Sequence, residues 1–277
     1  MRRYLKILCL LFIYTFVLVS AVLADAGDDR IAVTCTTTNI AAILEAIGGD
    51  KVTVTTVIPF GMCPGHFDIS PGEVMRIRNA DIVIFHGYER FMKDLTKDAK
   101  GKTDYVKVEV SDNWIIPDVH IKAVRAIETI LSSRFPGSAV YFSANAERYI
   151  RQVEDAGARL AASLKPLKGH PVIASSMNTD FIQWTGLKTV STFGRDEDIS
   201  LKELKGVVES GSRDKAGMVI DNLQSSGKTG RAIADELNIP VETLSNFPEE
   251  AAGRYYYIRT LEENCAKIIN TLAKFGE

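Results

Sequence analysis

This chain carries no excess charge of either sign: 33 Lys and Arg stand against 35 Asp and Glu, a formal net charge of −2. A mildly acidic, evenly mixed surface leaves no footprint for nucleic acid or an anionic membrane. Histidine and cysteine are scarce, at four each among 277 residues, so each can be weighed by its place. No Gly-x-Ser-x-Gly elbow offers an acyl-transfer serine, and no His-Glu-x-x-His pair offers a metallohydrolase helix. SSGKTG at 225–230 has the tail of a phosphate-binding loop, but Asn222 stands where the first glycine belongs. Acidic residues are plentiful but not clustered.

What is present begins with MRRYLK and then ILCLLFIYTFVLVSAVLA, residues 7–24 without a charge. A basic start, an apolar run and the small-residue triplet Ala24-Asp25-Ala26 read as a cleaved secretory signal over 1–26. The run is also long enough for an uncleaved anchor. Cys9 lacks the small preceding residues of a lipid-attachment site. Removing 1–26 takes three basic residues and one acidic, for a net charge of −4, and leaves Cys35, Cys63 and Cys265. In an oxidising compartment three cysteines make at most one pair.

Strand-like runs alternate with helix-period segments, the α/β signature. Strands are expected at 31–35, 52–59, 81–85 and 105–110, and again at 172–175, 189–192, 218–221 and 241–244. Ser70-Pro71-Gly72-Glu73 and Ser200-Leu201-Lys202-Glu203 read as capping boxes. Residues 137–164 form one long helix candidate, roughly 40 Å at ~1.5 Å per residue, which suits a spine between two lobes. A last helix from about Tyr255 carries Ile258, Leu261, Cys265, Ile268 and Leu272 on one stripe. The segments 31–61 and 171–194 echo each other: strand, small polar turn, short helix, glycine, strand, Phe-Gly. The expectation is two similar α/β lobes, 27–136 and 166–277, joined by a spine at 137–165, with a ligand cleft where the strand C-terminal ends meet.

The chemistry-bearing residues cluster at those ends. His66 follows the second strand in GMCPGHFDIS, His86 closes DIVIF directly, and His120 stands in IPDVHIKAV at a helix start. Three histidines on one predicted edge favour a shared role, although each alone could be an ordinary hydrogen-bonding residue. Cys35 closes the first strand and Cys63 follows the second, so the pair reads either as a disulfide or as thiolates for a borderline metal such as zinc. Asp221, closing GMVID, would face them across the cleft, or simply cap a helix. Cys265 belongs to a core stripe, and His170 lies at the opposite end of its sheet.

The segments NIAAILEAIGGDKVTVTTVIPFG, PGEVMRIRNADIVIFHGYE and DVHIKAVRAIETILSSRFPGSAVYFSANAERYIRQVE together resemble the zinc/manganese solute-binding proteins of bacterial ABC transporters, from about Ile31 to Leu272. The resemblance implies two α/β lobes on a rigid helix, a divalent metal as cargo, and a membrane permease with a separate ATPase as partners. It also implies a monomer, periplasmic and not an enzyme. Such proteins hold the ion with one histidine from each of two first-lobe segments, plus a His or Glu and an Asp from the second lobe. By this resemblance His120 matches the second ligand. The first falls on Gly65, one residue before His66; the third falls on Ser176; and LSNFPEE offers Asn246, Glu249 and Glu250 but no aspartate. No histidine-rich loop lies between Tyr88 and His120.

The expected metal set is therefore His66, His120, Cys63 and His86, with Cys35 and Asp221 behind them. Zinc is favoured over manganese or iron by the thiolate and imidazole donors. The alternative is a family member that has lost free-metal binding and carries a metal chelate or small organic solute. A more distant one is a secreted thiol- or metal-dependent enzyme built on Cys63 and His66.

Overall fold

The structure, a computed structural model, describes residues 30–97, 103–195, 197, 199–225 and 227–275. The expected signal segment 1–26 lies outside them. Of a first unit ending at Ile31 only Arg30 and Ile31 are described, and a compact unit runs from Ala32 onward. Among the described residues no helix is long and apolar enough to cross a membrane.

The first lobe runs β1 (Ile31–Cys35), α1 (Thr38–Gly48), β2 (Val52–Thr56), α2 (Pro71–Arg78), β3 (Ile82–Phe85), α3 (Arg90–Lys97) and β4 (Asp104–Lys107). Its sheet has the order β2-β1-β3-β4, with β1–β3 and β3–β4 parallel. Two helices follow, α4 (Pro117–Arg134) and α5 (Ala139–Leu164). The second lobe then repeats the alternation: β5 (Pro171–Ser175), α6 (Thr179–Thr185), β6 (Lys188–Phe193), α7 (Leu201–Arg213), β7 (Val219–Asn222), α8 (Lys228–Leu237) and β8 (Val241–Leu244). Its sheet has the order β6-β5-β7-β8, all parallel. In each lobe the first and third strands are central and the second and fourth form the edges, so the echo in sequence is a repeat of topology. A hairpin of β9 (Glu249–Ala251) and β10 (Arg254–Tyr256) leads into α9 (Tyr257–Phe275).

Local chemistry explains the helix starts. At α2, Ser70 Oγ accepts from Glu73 N at 3.3 Å while Glu73 Oε2 accepts from Ser70 N at 2.6 Å. At α7 the same reciprocal pair links Ser200 and Glu203, at 3.2 and 2.8 Å. Each box satisfies two backbone donors that a helix start otherwise leaves orphaned.

The spine α5 has 26 residues, about 39 Å at the usual rise. It buries Phe142, Ala146, Ile150, Val153, Leu160 and Leu164 along one stripe. Burial of the large members stabilises by roughly 1.5–3 kcal/mol each. Gly157 lets α4 come close: a Cβ there would stand 3.1 Å from Pro117. The stripe feeds a core that joins Ala42 of α1 and Ile115 to Val172, Ile220 and the α9 residues Leu261, Cys265 and Ile268. Separate clusters fill the first lobe, around Val57, Ile77, Val83 and Met92, and the outer face of the second, around Ile173, Val207, Val219 and Ile233.

Several bounds differ from expectation. The β4 ladder stops at Lys107 rather than at residue 110, because after the Val108 N to Phe85 O bond of 2.9 Å the chain leaves the sheet edge. Helix α4 begins at Pro117, three residues before His120, with the proline at a position where its missing N–H costs nothing. Helices α3 and α8 and the β9–β10 hairpin are not among the expected elements; α8 starts after Gly227, at φ 78°, inside a glycine-rich stretch.

Candidate functional site

A cleft of about 350 Å³ opens between the lobes. Every strand of both sheets sends its following loop to it. From the first lobe come Asn39 after β1, Cys63 to Gly65 after β2, His86 and Tyr88 after β3, and Ser111, Asn113 and Trp114 after β4. From the second come Met177 after β5, Arg195 after β6, Asn222 at the end of β7 and Gln224 after it, and Asn246 and Phe247 after β8. Parallel sheets of this kind present their C-terminal strand ends, and the loops there, as the natural ligand edge.

On the first-lobe wall the His86 ring is held from three sides. It stacks on Tyr88 with centroids 4.8 Å apart, meets Trp114 edge-on at 4.3 Å, and places Nε2 2.8 Å from Thr37 Oγ1. Burial pushes its pKa down to about 4, against a smaller opposing pull from Glu89. Glu89 is itself fully buried and accepts from Thr36 Oγ1, from His86 N at 3.1 Å and from Gly87 N at 2.7 Å. Its lone pairs thus serve Thr36 and the loop backbone rather than the cleft.

Two sets of contacts cross from lobe to lobe. At one, carboxamides interlock: Asn39 Nδ2 donates to the Asn246 carbonyl at 3.2 Å and Asn113 Nδ2 to Asn246 Oδ1 at 3.1 Å, while Asn246 Nδ2 is anchored within its own lobe on the Met177 carbonyl at 2.8 Å. At the other, Arg195 reaches the GMCPGH loop. Its Nη2 donates to Cys63 Sγ at 3.1 Å, and its Nη1 lies 3.1 and 3.2 Å from the two nitrogens of His66. His66 is about half exposed and has Glu197 Oε1 3.5 Å from Nδ1.

The six expected metal ligands do not stay together. Cys63 and His86 line the cleft, and His66 sits at its rim against Arg195. His120, in contrast, is fully buried and does not line the cleft. It stacks face to face on Tyr257 of α9 at 3.5 Å and 9°, with Nε2 3.0 Å from Tyr149 Oη on the spine. Burial pushes its pKa down to about 3, with a weaker upward pull from the Trp114 backbone.

Cys35 ends β1 with its side chain turned into the core. It is fully buried, its thiol lies 3.6 Å from the Thr37 carbonyl and 3.7 Å from Thr56 Oγ1, and burial raises its pKa to about 12. Of the two readings of the Cys35 and Cys63 pair, the disulfide is not formed: Cys35, Cys63 and Cys265 are free thiols. Asp221 faces inward too. Its Oδ1 accepts from Asn222 N at 2.7 Å, and a side chain at Gly230 of α8 would collide with its carboxylate. The neighbouring Asn222 lines the cleft in its place. Among the described residues no group of three or more His, Cys, Asp or Glu side chains converges as a metal cage.

The sequence reading missed Arg195 and the carboxamides Asn39, Asn113, Asn222 and Gln224. The signal was present in the echo, since Arg195 follows the second Phe-Gly as Met62 follows the first.

A cleft roofed by the strand-end loops of two like lobes, joined by one long helix, is the architecture of a two-lobed solute-binding protein. Residues 33–271 match the family described as zinc-uptake complex component A, periplasmic (ZnuA), and the chain belongs to this family of metal ABC transporter solute-binding proteins. It is 29% identical over 225 residues, 70% of its length, to the manganese-binding lipoprotein MntA of Bacillus subtilis (strain 168), covering 72% of that relative. Over 153 residues it is 25% identical to the metal ABC transporter substrate-binding lipoprotein SloC of Streptococcus mutans, and there it spans half of the relative's length. Among solved structures, a zinc-bound ZnuA deletion mutant superposes with a TM-score of 0.76 at 21% identity, covering 88% of this chain and 98% of that one. The Mn-bound periplasmic metal binding protein from Candidatus Liberibacter asiaticus gives 0.75 at 18% identity, over 88% and 100%. These two similarities concern the fold.

Proposed function

We propose that this chain is the substrate-capturing subunit of an ABC importer, working outside the cytoplasm as a monomer. It hands its cargo to a membrane permease driven by a separate ATPase. Its cleft takes that cargo as a complexed or organic solute rather than as a bare divalent ion. One observation carries the second part: the Arg195 guanidinium stands against Cys63 and His66. A guanidinium keeps its charge in any protein environment, so it competes with a bare cation for the same lone pairs. The remaining polar wall is mostly carboxamide, with Ser111, His86 and Tyr88 beside it, and the cleft, at about 350 Å³, falls within the usual span of small-molecule sites. A coordinated zinc ion needs only donors ~2.0–2.3 Å away.

A second reading, capture of zinc itself, is favoured by the same contact seen from the other side. Cys63 and His66 both reach one guanidinium, so if Arg195 swung out a sulfur and an imidazole nitrogen could share one ion. Native mass spectrometry of protein from its own compartment, with calorimetric titration of Zn²⁺, Mn²⁺ and Fe²⁺ into stripped protein, separates the two. An organic or complexed solute, and no stoichiometric bare-ion binding, is expected. One tightly bound ion per chain, lost in Cys63→Ser or His66→Ala, would establish the zinc reading instead.

A further inference from the structure

We propose that Arg195 is the anion-binding residue of this cleft, and that the cargo is a carboxylate-bearing solute gripped by its guanidinium. This rests on the reading of the cleft as a solute site and deepens it.

Arg195 lines the cleft, yet among the described residues no carboxylate pairs with it. The acidic side chain two positions on, Glu197, lies against His66 instead, at 3.5 Å. The two terminal nitrogens of Arg195 point across to the first lobe side by side, one on Cys63 Sγ and one on the His66 ring. A thiol sulfur is a weak acceptor. A carboxylate matches the planar fork with two parallel charge-assisted bonds. A cargo carboxylate would therefore displace Cys63 and His66 from the fork and take over their contact with the second lobe.

The rest of the cleft suits the remainder of such a molecule. The stacked rings of His86 and Tyr88, with Trp114 edge-on, form an apolar wall. Asn113 and Asn246 border the cleft as neutral carboxamides bonded to each other. Nothing in this lining needs the cargo to bring a positive charge. Two sources share the chemistry: a free small organic acid, and a metal ion wrapped in such an acid so that its outer face is carboxylate.

The test is calorimetry on the full chain as secreted, with four probes: citrate, benzoate, zinc–citrate and zinc chloride. The variants are Arg195→Gln and Arg195→Lys, with thermal melting to verify folding. At least one carboxylate probe should bind, Arg195→Gln should weaken it at least about tenfold, and Arg195→Lys, a point charge without the fork, should fall between. Binding of zinc–citrate without citrate assigns the chelate; binding of citrate or benzoate alone assigns the free acid. Failure of all three carboxylate probes, or affinity unchanged in Arg195→Gln, overturns the assignment. A native solute without a carboxylate does the same while leaving solute capture intact. Stoichiometric binding of zinc chloride alone, lost in Cys63→Ser, overturns both this inference and the reading beneath it.

Discussion

The rings of His120 and Tyr257 lie 3.5 Å apart with their planes 9° from parallel, and the outer ring nitrogen of His120 is bonded to Tyr149. One residue of α4 is thereby tied to the spine and to the last helix, at the junction of three elements. These contacts place its ring in the frame behind the cleft rather than in the cleft lining. His120→Ala should therefore cost about 3 kcal/mol, in the range for truncating a large buried side chain. Urea unfolding measures the loss, and solute affinity in the surviving folded protein should change less than about threefold.

Acid should destabilise the protein through the same residue and through His86. Both have native pKa values held down by burial, to about 3 and about 4. The unfolded chain binds their protons from about pH 6.5 downward and the folded chain does not, so the stability present above that pH falls as the solution acidifies. Each histidine removes roughly 1.4 kcal/mol per pH unit until the native ring itself protonates. Stability measured at pH 7, 6, 5 and 4 should drop steeply below 6, and His120→Gln should flatten the slope.

The carboxamide latch offers a test of how the lobes are held. Asn246→Ala deletes the acceptor for Asn113 and the donor to the Met177 carbonyl. At about 1 kcal/mol per net hydrogen bond, the variant should lose roughly 1 kcal/mol of interlobe attachment, from the Asn113 bond, and a similar amount within the second lobe, from the Met177 bond. Hydrogen exchange should quicken at the loops after β4 and β5 while the two sheet interiors keep their protection. Equal acceleration throughout would show that the latch acts on global stability alone.

Gly230→Ala probes why Asp221 stays out of the cleft. The α8 backbone at Gly230 sits directly against the Asp221 carboxylate, with no room for a methyl group. Overpacking of this kind typically costs about 1–3 kcal/mol. The melting temperature should fall by several degrees, whereas Gly206→Ala, which meets open space on α7, should not lower it.

Local sequence determined the elements and the order in which they come. Capping boxes at Ser70 and Ser200, the stripe of the spine and the β-branched runs of the strands are short-range signals, and each acts within a few residues of itself. The strand-end edge followed from them, because parallel strands of one sheet all end on the same side. Which side chains reach into the cleft was decided only by tertiary structure. At a strand end successive residues point to opposite faces, so a shift of one position exchanges Asp221 for Asn222. Cys35 stands at the right edge yet turns into the core, and His120 belongs to a helix that rotates it onto Tyr257. Arg195 comes to Cys63 and His66 from 129 residues or more away in the chain, and no spacing in the sequence carries a meeting that depends on two lobes closing on each other.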